Sequence, residues 1–370
     1  MILGVSAEQE ELRASVRRFL ADRAPMSRVR ELMDGGETDW AVWEQAGTQL
    51  GLQGLAIPEG YGGAGFSFAE QAVVLEEFGA ALYGGPYLAS AVLAATALLA
   101  SPDEGARRGL LPDIASGQTV ATLAFAEDGG SWDPAAIRLS AVKDGEAWRL
   151  DGHKSFVLDG ATAGLILVVG TTDAGLSLFA VEGDADGLSR AALPALDQTR
   201  QLARLEFAGV TGRLVGSPGD GAAALDRALD VTAVALAAEQ LGGAQRALDM
   251  AVEYAKVRRQ FDRPIGSFQA IKHRCADLLL EVESLRSAVG YAAAAVAEDS
   301  AEIPVLASLV KAYASDTYFH VAAENIQIHG GIGFTWEHDA HLYFKRAKAS
   351  ELFLGDGAYH RERLADRIGL

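Results

Sequence analysis

The chain has 370 residues, of which 49% are hydrophobic and 22% charged, a composition typical of a globular protein with two or three domains. Its formal net charge of -18 repels a nucleic-acid backbone, so we expect no nucleic-acid partner. Cys275 is the only cysteine, which excludes an intrachain disulfide and a cysteine-based zinc site and is typical of the cytoplasm. The most apolar stretch, Tyr87 to Ala100, is shorter than the roughly 20 residues that cross a bilayer, and no secretory signal pattern opens the chain. We therefore expect a cytoplasmic protein with no membrane span and no metal site.

The first third of the chain has helical periodicity. Leu12, Val16 and Phe19 recur at helical spacing after Ser6, which predicts an amphipathic helix with an N-capping serine. Two further helical patterns, FAEQAVVLEEFGAAL and ASAVLAATALLA, follow a glycine-rich loop, PEGYGGAGF. These patterns predict an N-terminal helical domain over residues 1–117.

Short apolar or alternating runs then replace the helical pattern. The segments AWRLDGHKSFVLDG, GLILVVGTT, LSLFAVEG and ARLEFAGV are punctuated by glycine and aspartate, which is typical of strands in a small antiparallel sheet. The helical period returns at Gly221 and continues to the end. The order predicts an α+β fold with an antiparallel β domain over residues 118–218 and a C-terminal helical domain over residues 219–370.

Four segments in the same order resemble the acyl-CoA dehydrogenase family. They are PEGYGGAGFSFAEQAVVLEEFG, DGHKSFVLDGA, YAKVRRQFDRPIGSFQAIKHRCADL and QIHGGIGFTWEHDAHLYFKRAK. The resemblance implies that the C-terminal domain is a four-helix bundle, that FAD binds between the last two domains, and that an acyl-CoA thioester is oxidised to its 2-enoyl form. It also implies an electron-accepting flavoprotein as a partner, and an oligomer in which a neighbouring subunit reaches the flavin.

Polar and glycine residues of the third domain are candidates for flavin binding. Arg258 offers a guanidinium for a pyrophosphate, and Phe261 offers a ring for a flat ring system. The alternatives are that Arg258 solvates a helix end, that Phe261 is a core residue and that the paired glycines form a turn. The resemblance implies that six residues hold the FAD of an adjacent subunit: Arg258, Phe261, Gln269, Gln327, Gly330 and Gly331.

The segment that would contact flavin at the start of the β domain departs from the family pattern. FAEDGGSWD stands where the family has Thr-Glu-Pro-x-x-Gly-Ser-Asp, so that Ala126 replaces the threonine and Asp128 the proline. Ser131 or Asp133 remains available for a flavin contact. The resemblance therefore predicts weakened flavin contacts within the chain.

A second flavin segment is also altered. FVLD stands where the family has Trp-Ile-Thr-Asn, so Phe156 keeps an aromatic surface while Leu158 lacks the hydroxyl. The contacts made within the chain are thus weakened, whereas the contacts donated to a neighbour are retained.

The positions of the family's catalytic base carry no carboxylate. Abstraction of the α-proton of a thioester needs a carboxylate within hydrogen-bonding distance. Counted from the Gln-x-x-Gly-Gly pattern, the usual glutamate falls on Leu354, and the position used by a subset of the family falls on Thr232. The nearest acids, Asp356 and Glu239, are better explained as a capping residue and a packed or ion-paired residue, so we assign no catalytic residue. The Leu354 backbone N–H remains suited to a thioester carbonyl.

Three functions agree with this sequence. The first is a homo-oligomeric FAD-dependent acyl-CoA dehydrogenase with an unusual base. The second is a catalytically incomplete subunit of a heterotetramer with a related dehydrogenase, an arrangement that the family uses for bulky substrates such as steroid side chains. The third and most distant is a non-enzymatic acyl-CoA or protein-binding module. His273 and His329 are interpreted as structural residues rather than catalysts.

Overall fold

The structure, a computed structural model, describes residues 6–35 and 38–370. Residues 1–5, where a secretory signal would begin, lie outside the described residues. The helices are α1 (Ala7–Arg23), α2 (Met26–Gly35), α3 (Trp40–Leu50), α4 (Phe68–Ala80), α5 (Ala95–Ala100), α6 (Glu104–Ala115), α7 (Gly221–Val257), α8 (Gln269–Ala297), α9 (Ile303–His329), α10 (Ala340–Leu352) and α11 (Gly357–Ile368). The strands are β1 (Ala121–Ala124), β2 (Ser140–Asp144), β3 (Ala147–Leu158), β4 (Leu165–Thr172), β5 (Gly175–Glu182), β6 (Leu188–Leu193), β7 (Leu202–Val215), β8 (Arg259–Gln260) and β9 (Arg263–Pro264).

The first predicted helix begins as expected. The Ser6 hydroxyl accepts a hydrogen bond from the Gln9 N–H at 3.2 Å, and the Gln9 side chain accepts one from the Ser6 N–H at 3.0 Å. This reciprocal pair satisfies two of the N–H groups that a helix start leaves without partners. Val16, Phe19 and Leu20 form the buried face of α1.

The most apolar stretch of the sequence is folded into the protein interior. Leu88–Ala94 forms a π-helical segment that continues directly into α5, and all seven residues of that segment are buried. Across the described ranges, no helix combines the length and the hydropathy needed to cross a membrane.

Seven strands form one sheet in the order β1-β4-β2-β3-β7-β5, with β6 paired to β7. Most neighbours are antiparallel, as predicted. However, β1 and β4 run parallel, with Ala121 opposite Leu165, and β4 also meets β2 in parallel. The sheet is therefore mixed rather than purely antiparallel, because the chain crosses over through β2 and β3 before it returns in β4.

The described chain divides into two compact units. The helical unit contains residues up to Glu31, Phe68–Tyr83 and Ala233–Leu370. The sheet unit contains Leu32–Ser67 and Gly84–Thr232. Each unit combines part of the first 117 residues with a later segment, so the domain boundaries at residues 117 and 218 stay a prediction.

Within the helical unit, α9 is central, since α8, α10 and α11 all pack on it. Glycines allow two helix pairs to approach closely. A Cβ on Gly79 of α4 would lie 1.9 Å from the Glu239 carbonyl oxygen of α7, and a Cβ on Gly243 would lie 2.4 Å from the Tyr318 ring of α9. The predicted helical C-terminal domain is confirmed, with α11 in addition to the four helices α7 to α10.

Candidate active site

The first candidate region is the hairpin that follows α7. β8 and β9 are joined by Phe261 and Asp262, whose φ angles of 53° and 62° are those of a tight two-residue hairpin turn. Phe261 is 87% exposed, and its ring meets the edge of Phe268 at a centroid distance of 6.1 Å. The alternative that Phe261 is a core residue is therefore wrong, and its ring face is open to a ligand or a partner.

The polar candidates of this region are also exposed. Arg258, Gln269 and Gln327 lie on the surface of the helical unit. Their side chains make no hydrogen bond or ion pair with any residue that the structure describes. One guanidinium and two amides are thus free to bind an external group.

A small apolar cluster brings these candidates together. Its buried members lie on α7 and at the end of α9, and its partly buried members extend it to the hairpin and the start of α8. The cluster comprises Ala251, Ala255 and Ile328 with Tyr254, Ile265, Ile271 and Cys275. The His329 ring stacks on the Tyr254 ring at 4.2 Å, which also joins the ends of α9 and α7. All six third-domain candidates therefore lie on segments that adjoin this cluster.

The paired glycines end α9 with an open backbone. Gly330 has a φ of 64° and donates its N–H to the Gln327 and Ile326 carbonyls. A Cβ added to Gly330 or Gly331 would meet nothing within 4 Å. The pair caps the helix, and it also leaves space beside the backbone for a close ligand.

Of the two histidines singled out in the sequence, His329 makes structural contacts. His329 is buried, and its Nδ1–H donates to the Asn325 carbonyl at 2.8 Å. Burial lowers the pKa of His329, which favours the neutral ring. His273 is exposed on α8.

The sheet unit holds the second candidate region, with Ser131 and Phe156. Phe156 lies in a bulge of β3 with a φ of 58°, and its ring is 6.1 Å from the ring of Trp132. Trp132 in turn is 5.9 Å from Phe125, so three aromatic rings form a row. The Ser131 hydroxyl accepts a hydrogen bond from the Asp133 N–H at 3.2 Å. Trp132 was not predicted, although a lone aromatic residue in a loop of glycine, serine and aspartate is a signal for one.

Carboxylates hold the loop around Ser131 in place. Asp128, at the altered proline position, accepts two hydrogen bonds from Arg204 at 3.0 Å and one from the Ser155 hydroxyl. The Arg204 hydrogen bond is the main cause that lowers the pKa of Asp128 to about 2. Glu127 accepts a hydrogen bond from the buried Lys154 ammonium at 2.9 Å. The substituted residues thus form a well-bonded loop of their own.

FAD fits the two regions unequally. The helical unit offers an exposed cation, two unpaired amides, an exposed ring and an open glycine backbone, all of which suit a dinucleotide. In the sheet unit, Ala126 and Leu158 are buried side chains without a hydroxyl. Ser131 remains, but its oxygen already serves the loop. The candidate residues of the helical unit therefore fit FAD better than those of the sheet unit.

The third candidate region is the turn between α10 and α11. Leu354 is only 4% exposed and has a φ of 61°. Its carbonyl accepts a hydrogen bond from His360 Nε2 at 3.0 Å. Its N–H finds no acceptor within residues 6–35 and 38–370. An apolar side chain thus occupies the expected base position beside an unpaired backbone donor.

Both nearby acids are committed to structural contacts. Asp356 caps α11, where its Oδ1 accepts from the Tyr359 N–H at 2.8 Å. Glu239 forms an ion pair with Arg346 at 2.6 Å, and the two side chains are only 8% and 2% exposed. Thr232, the second possible base position, is a fully buried hydroxyl residue. None of the three supplies an available carboxylate.

Comparison with known proteins identifies the family of this chain. Models of the N-terminal, middle and C-terminal domains of acyl-CoA dehydrogenases match residues 6–118, 122–210 and 219–369. The chain belongs to the acyl-CoA dehydrogenase family. Members of this family are oxidoreductases, and FAD is their characteristic cofactor. The predicted family, fold and cofactor are therefore confirmed.

Several acyl-CoA dehydrogenases are similar over the whole length. Acyl-CoA dehydrogenase IpdE2 of Mycobacterium tuberculosis is 36% identical over 94% of this chain and 93% of its own. A variant of the Tcur3481-Tcur3483 steroid ACAD is 34% identical, with a TM-score of 0.90 over 99% of both chains. The ChsE4-ChsE5 complex of Mycobacterium tuberculosis is 30% identical, with a TM-score of 0.91 over 100% of this chain and 99% of the other.

Proposed function

We propose that this acyl-CoA dehydrogenase chain is a catalytically incomplete subunit that pairs with a related, complete dehydrogenase. The observation that supports this function is that both acids near the expected base positions make structural contacts. Asp356 caps a helix and Glu239 is buried against Arg346, while the base position itself holds Leu354. A positioned general base contributes about 10²- to 10⁴-fold to the rate, so a chain without one needs the carboxylate of another subunit.

The role of this chain is to complete the flavin site of its partner. Arg258 pairs with the pyrophosphate, Phe261 packs against a flat face, and the amides of Gln269 and Gln327 bind polar edges of the nucleotide. When bound, FAD supplies hydride acceptance from the β-carbon of an acyl thioester. The side chains of Arg258, Gln269 and Gln327 make no hydrogen bond or ion pair in the described chain, as expected for groups that bind a partner.

Two similar structures support a mixed assembly. Tcur3481-Tcur3483 and ChsE4-ChsE5 are each named as a pair of different proteins, and the first is named a steroid ACAD. By analogy, we infer a heterotetramer with a related dehydrogenase, and a bulky acyl-CoA such as a steroid derivative as its substrate. An electron-accepting flavoprotein would then reoxidise the complex.

The first test compares the chain alone with the chain co-expressed with a related dehydrogenase. We expect the purified chain to be colourless and inactive, and the co-expressed complex to contain flavin and to reduce an artificial electron acceptor. A yellow, active homo-oligomer would support the first function considered above instead. A complex without flavin or dehydrogenase activity would support the non-enzymatic function.

The flavin contacts can be tested in the same complex. Arg258→Glu should lower the flavin content per complex without unfolding the chain, because the Arg258 side chain is exposed and makes no hydrogen bond or ion pair within the described chain. Arg18→Glu, an exposed charge reversal on α1, is the matched control and should retain full flavin content. Equal flavin loss in both variants would contradict a specific role for Arg258.

The missing base can be restored. In a flavin-loaded complex whose partner has lost its own catalytic carboxylate, Leu354→Glu should create dehydrogenase activity if flavin lies beside the Leu354 turn, because the carboxylate then lies at the family's base position. Leu354→Gln is the matched control and should stay inactive. Robust activity of the wild-type homo-oligomer that is abolished by Asp356→Asn or Glu239→Gln would show that the base has moved.

A further inference from the structure

The Leu354 turn contains a backbone N–H that has no hydrogen-bond acceptor in the described chain. Leu354 is almost completely buried, and its N–H has no acceptor in the described chain. Buried N–H groups are nearly always paired, because the lost hydrogen bonds to water are otherwise not replaced. An N–H without an acceptor in so buried a residue suits an acceptor that comes from outside the chain.

The carbonyl groups of the same turn are bound by a buried lysine. Lys311 of α9 is fully buried, and its Nζ donates to the Gly355 carbonyl at 2.8 Å and to the Glu351 carbonyl at 3.1 Å. It also donates to the Ser315 hydroxyl at 2.9 Å. An ammonium has three N–H donors, and all of them are used. The cation also faces the C-terminal end of α10, where a positive charge is favourable.

A buried histidine binds the carbonyl between these two. His360 of α11 donates its Nε2–H to the Leu354 carbonyl at 3.0 Å. Burial, together with the nearby Lys311 charge, lowers the pKa of His360 to about 3, so the ring is neutral at neutral pH. Its Nδ1 is buried without a partner in the residues described. The ring therefore acts as a single donor that fixes one carbonyl.

The backbone of the turn has an unusual conformation at two consecutive residues. Gly355 has a φ of 103°, and a Cβ at this position would lie 2.1 Å from the Tyr359 ring. Leu354 is held in the left-handed region, which side chains rarely adopt. Three carbonyls are bound by Lys311 and His360, whereas the Leu354 N–H has no acceptor in the described chain. Such fixed geometry suits a donor that must meet a ligand oxygen without reorganisation.

We propose that Lys311 and His360 are positioning residues that hold the Leu354 N–H toward the carbonyl oxygen of an acyl thioester. This inference rests on the proposed function to the extent that an acyl-CoA binds beside Leu354, and it adds the two residues that prepare the site. It does not require that this chain perform dehydrogenation. A chain that has lost its base can thus keep a thioester-binding turn.

Two ligands that differ only at the carbonyl test the role. Octanoyl-CoA has the thioester carbonyl, whereas S-octyl-CoA has a methylene group in its place. Titration calorimetry on the purified full chain should show about tenfold tighter binding of octanoyl-CoA, the effect of one backbone hydrogen bond. His360→Leu should remove this preference while binding of S-octyl-CoA stays the same, because only the N–H orientation is lost.

Two variants control for a purely structural effect. His360→Gln keeps an amide N–H for the Leu354 carbonyl and should retain most of the preference. His341→Leu replaces another buried histidine of the helical unit and should leave both affinities unchanged. If His360→Leu does not fold, Ser315→Ala, which removes one acceptor of Lys311, should lower the preference about threefold.

Three outcomes would overturn the inference. The first is an equal loss of affinity for both ligands in His360→Leu. The second is a wild-type chain that does not distinguish the ligands, including one that binds neither. The third is an unchanged preference in a folded His360→Leu or Ser315→Ala variant. The flavin content of the complex is measured in a separate experiment. The ligand preference of this chain can therefore be interpreted even if the partner-subunit function is wrong.

Discussion

The Phe261 hairpin and the Leu354 turn share a backbone feature and differ in almost everything else. Each holds a large apolar residue in the left-handed region, at a cost of about 1–2 kcal/mol. Leu354 is 4% exposed, and the hydrogen bonds of Lys311 and His360 offset that cost within the chain. Phe261 is 87% exposed, and its ring contacts the Phe268 ring in an edge arrangement. The strained backbone at Leu354 is thus stabilised by contacts within one chain, whereas the benefit of the strained backbone at Phe261 lies outside it.

The largest expected effect is at the buried ion pair of Glu239 and Arg346. Arg346→Met should destabilise the fold by about 3–5 kcal/mol, because it leaves the Glu239 carboxylate buried without its partner. Urea unfolding measures the loss. Arg28→Met breaks the exposed pair with Glu31 and should cost at most about 1 kcal/mol. If Arg346→Met lost little stability, the Glu239 carboxylate would not depend on this ion pair. Glu239 would then be a candidate base again.

Paired glycine substitutions compare the two regions directly. Gly355→Ala should cost about 3 kcal/mol, since the backbone is left-handed and the added Cβ would meet the Tyr359 ring. Gly331→Ala should leave the free energy of unfolding nearly unchanged, because its Cβ would enter open space. We expect Gly331→Ala to lower flavin content in the complex instead. Similar losses of stability in both variants would remove the distinction between a buried and an exposed region.

Sequence patterns predicted the elements better than the way in which they assemble. The strands β3, β4, β5 and β7 have apolar or alternating runs and were predicted. Strand β6 was missed because its residues are mostly exposed and do not alternate, and β1 because it has only four residues. Which helices meet depends on close approach, as at Gly79, and periodicity does not reveal this.

The candidate site shows the same limit. A short motif includes Arg258 and Phe261, so a resemblance was enough to find them. Lys311 was not predicted, because a lone lysine in a helix is normally exposed and only its tertiary position surrounds it with carbonyls. His360 was not predicted either, since it lies in the charged segment YHRERLADR, a pattern typical of a solvated helix face.

The buried turn also predicts a dependence on pH. His360 has its pKa lowered from 6.5 to about 3 in the folded chain, so the unfolded chain binds one more proton between these values. Stability is therefore fully present above pH 6.5 and is lost as the pH falls toward 3. The contribution between pH 6.5 and 5 is up to about 2 kcal/mol. Urea unfolding at several pH values should show a shallower acid slope in His360→Gln than in the wild type; identical slopes would contradict a buried neutral ring.

The smallest expected effect concerns the exposed hairpin and has the opposite sign. Phe261→Asn should stabilise the isolated chain by about 0.5–1 kcal/mol, because asparagine adopts the left-handed conformation more readily than phenylalanine. The same variant should lower flavin content in the complex, because the exposed ring is lost. Trp40→Asn, at an exposed helical position, is the control and should bring no gain in stability. If the Phe261→Asn chain is destabilised, the ring supports its own hairpin through Phe268. If the flavin content of the complex is unchanged, the ring has no role in flavin binding.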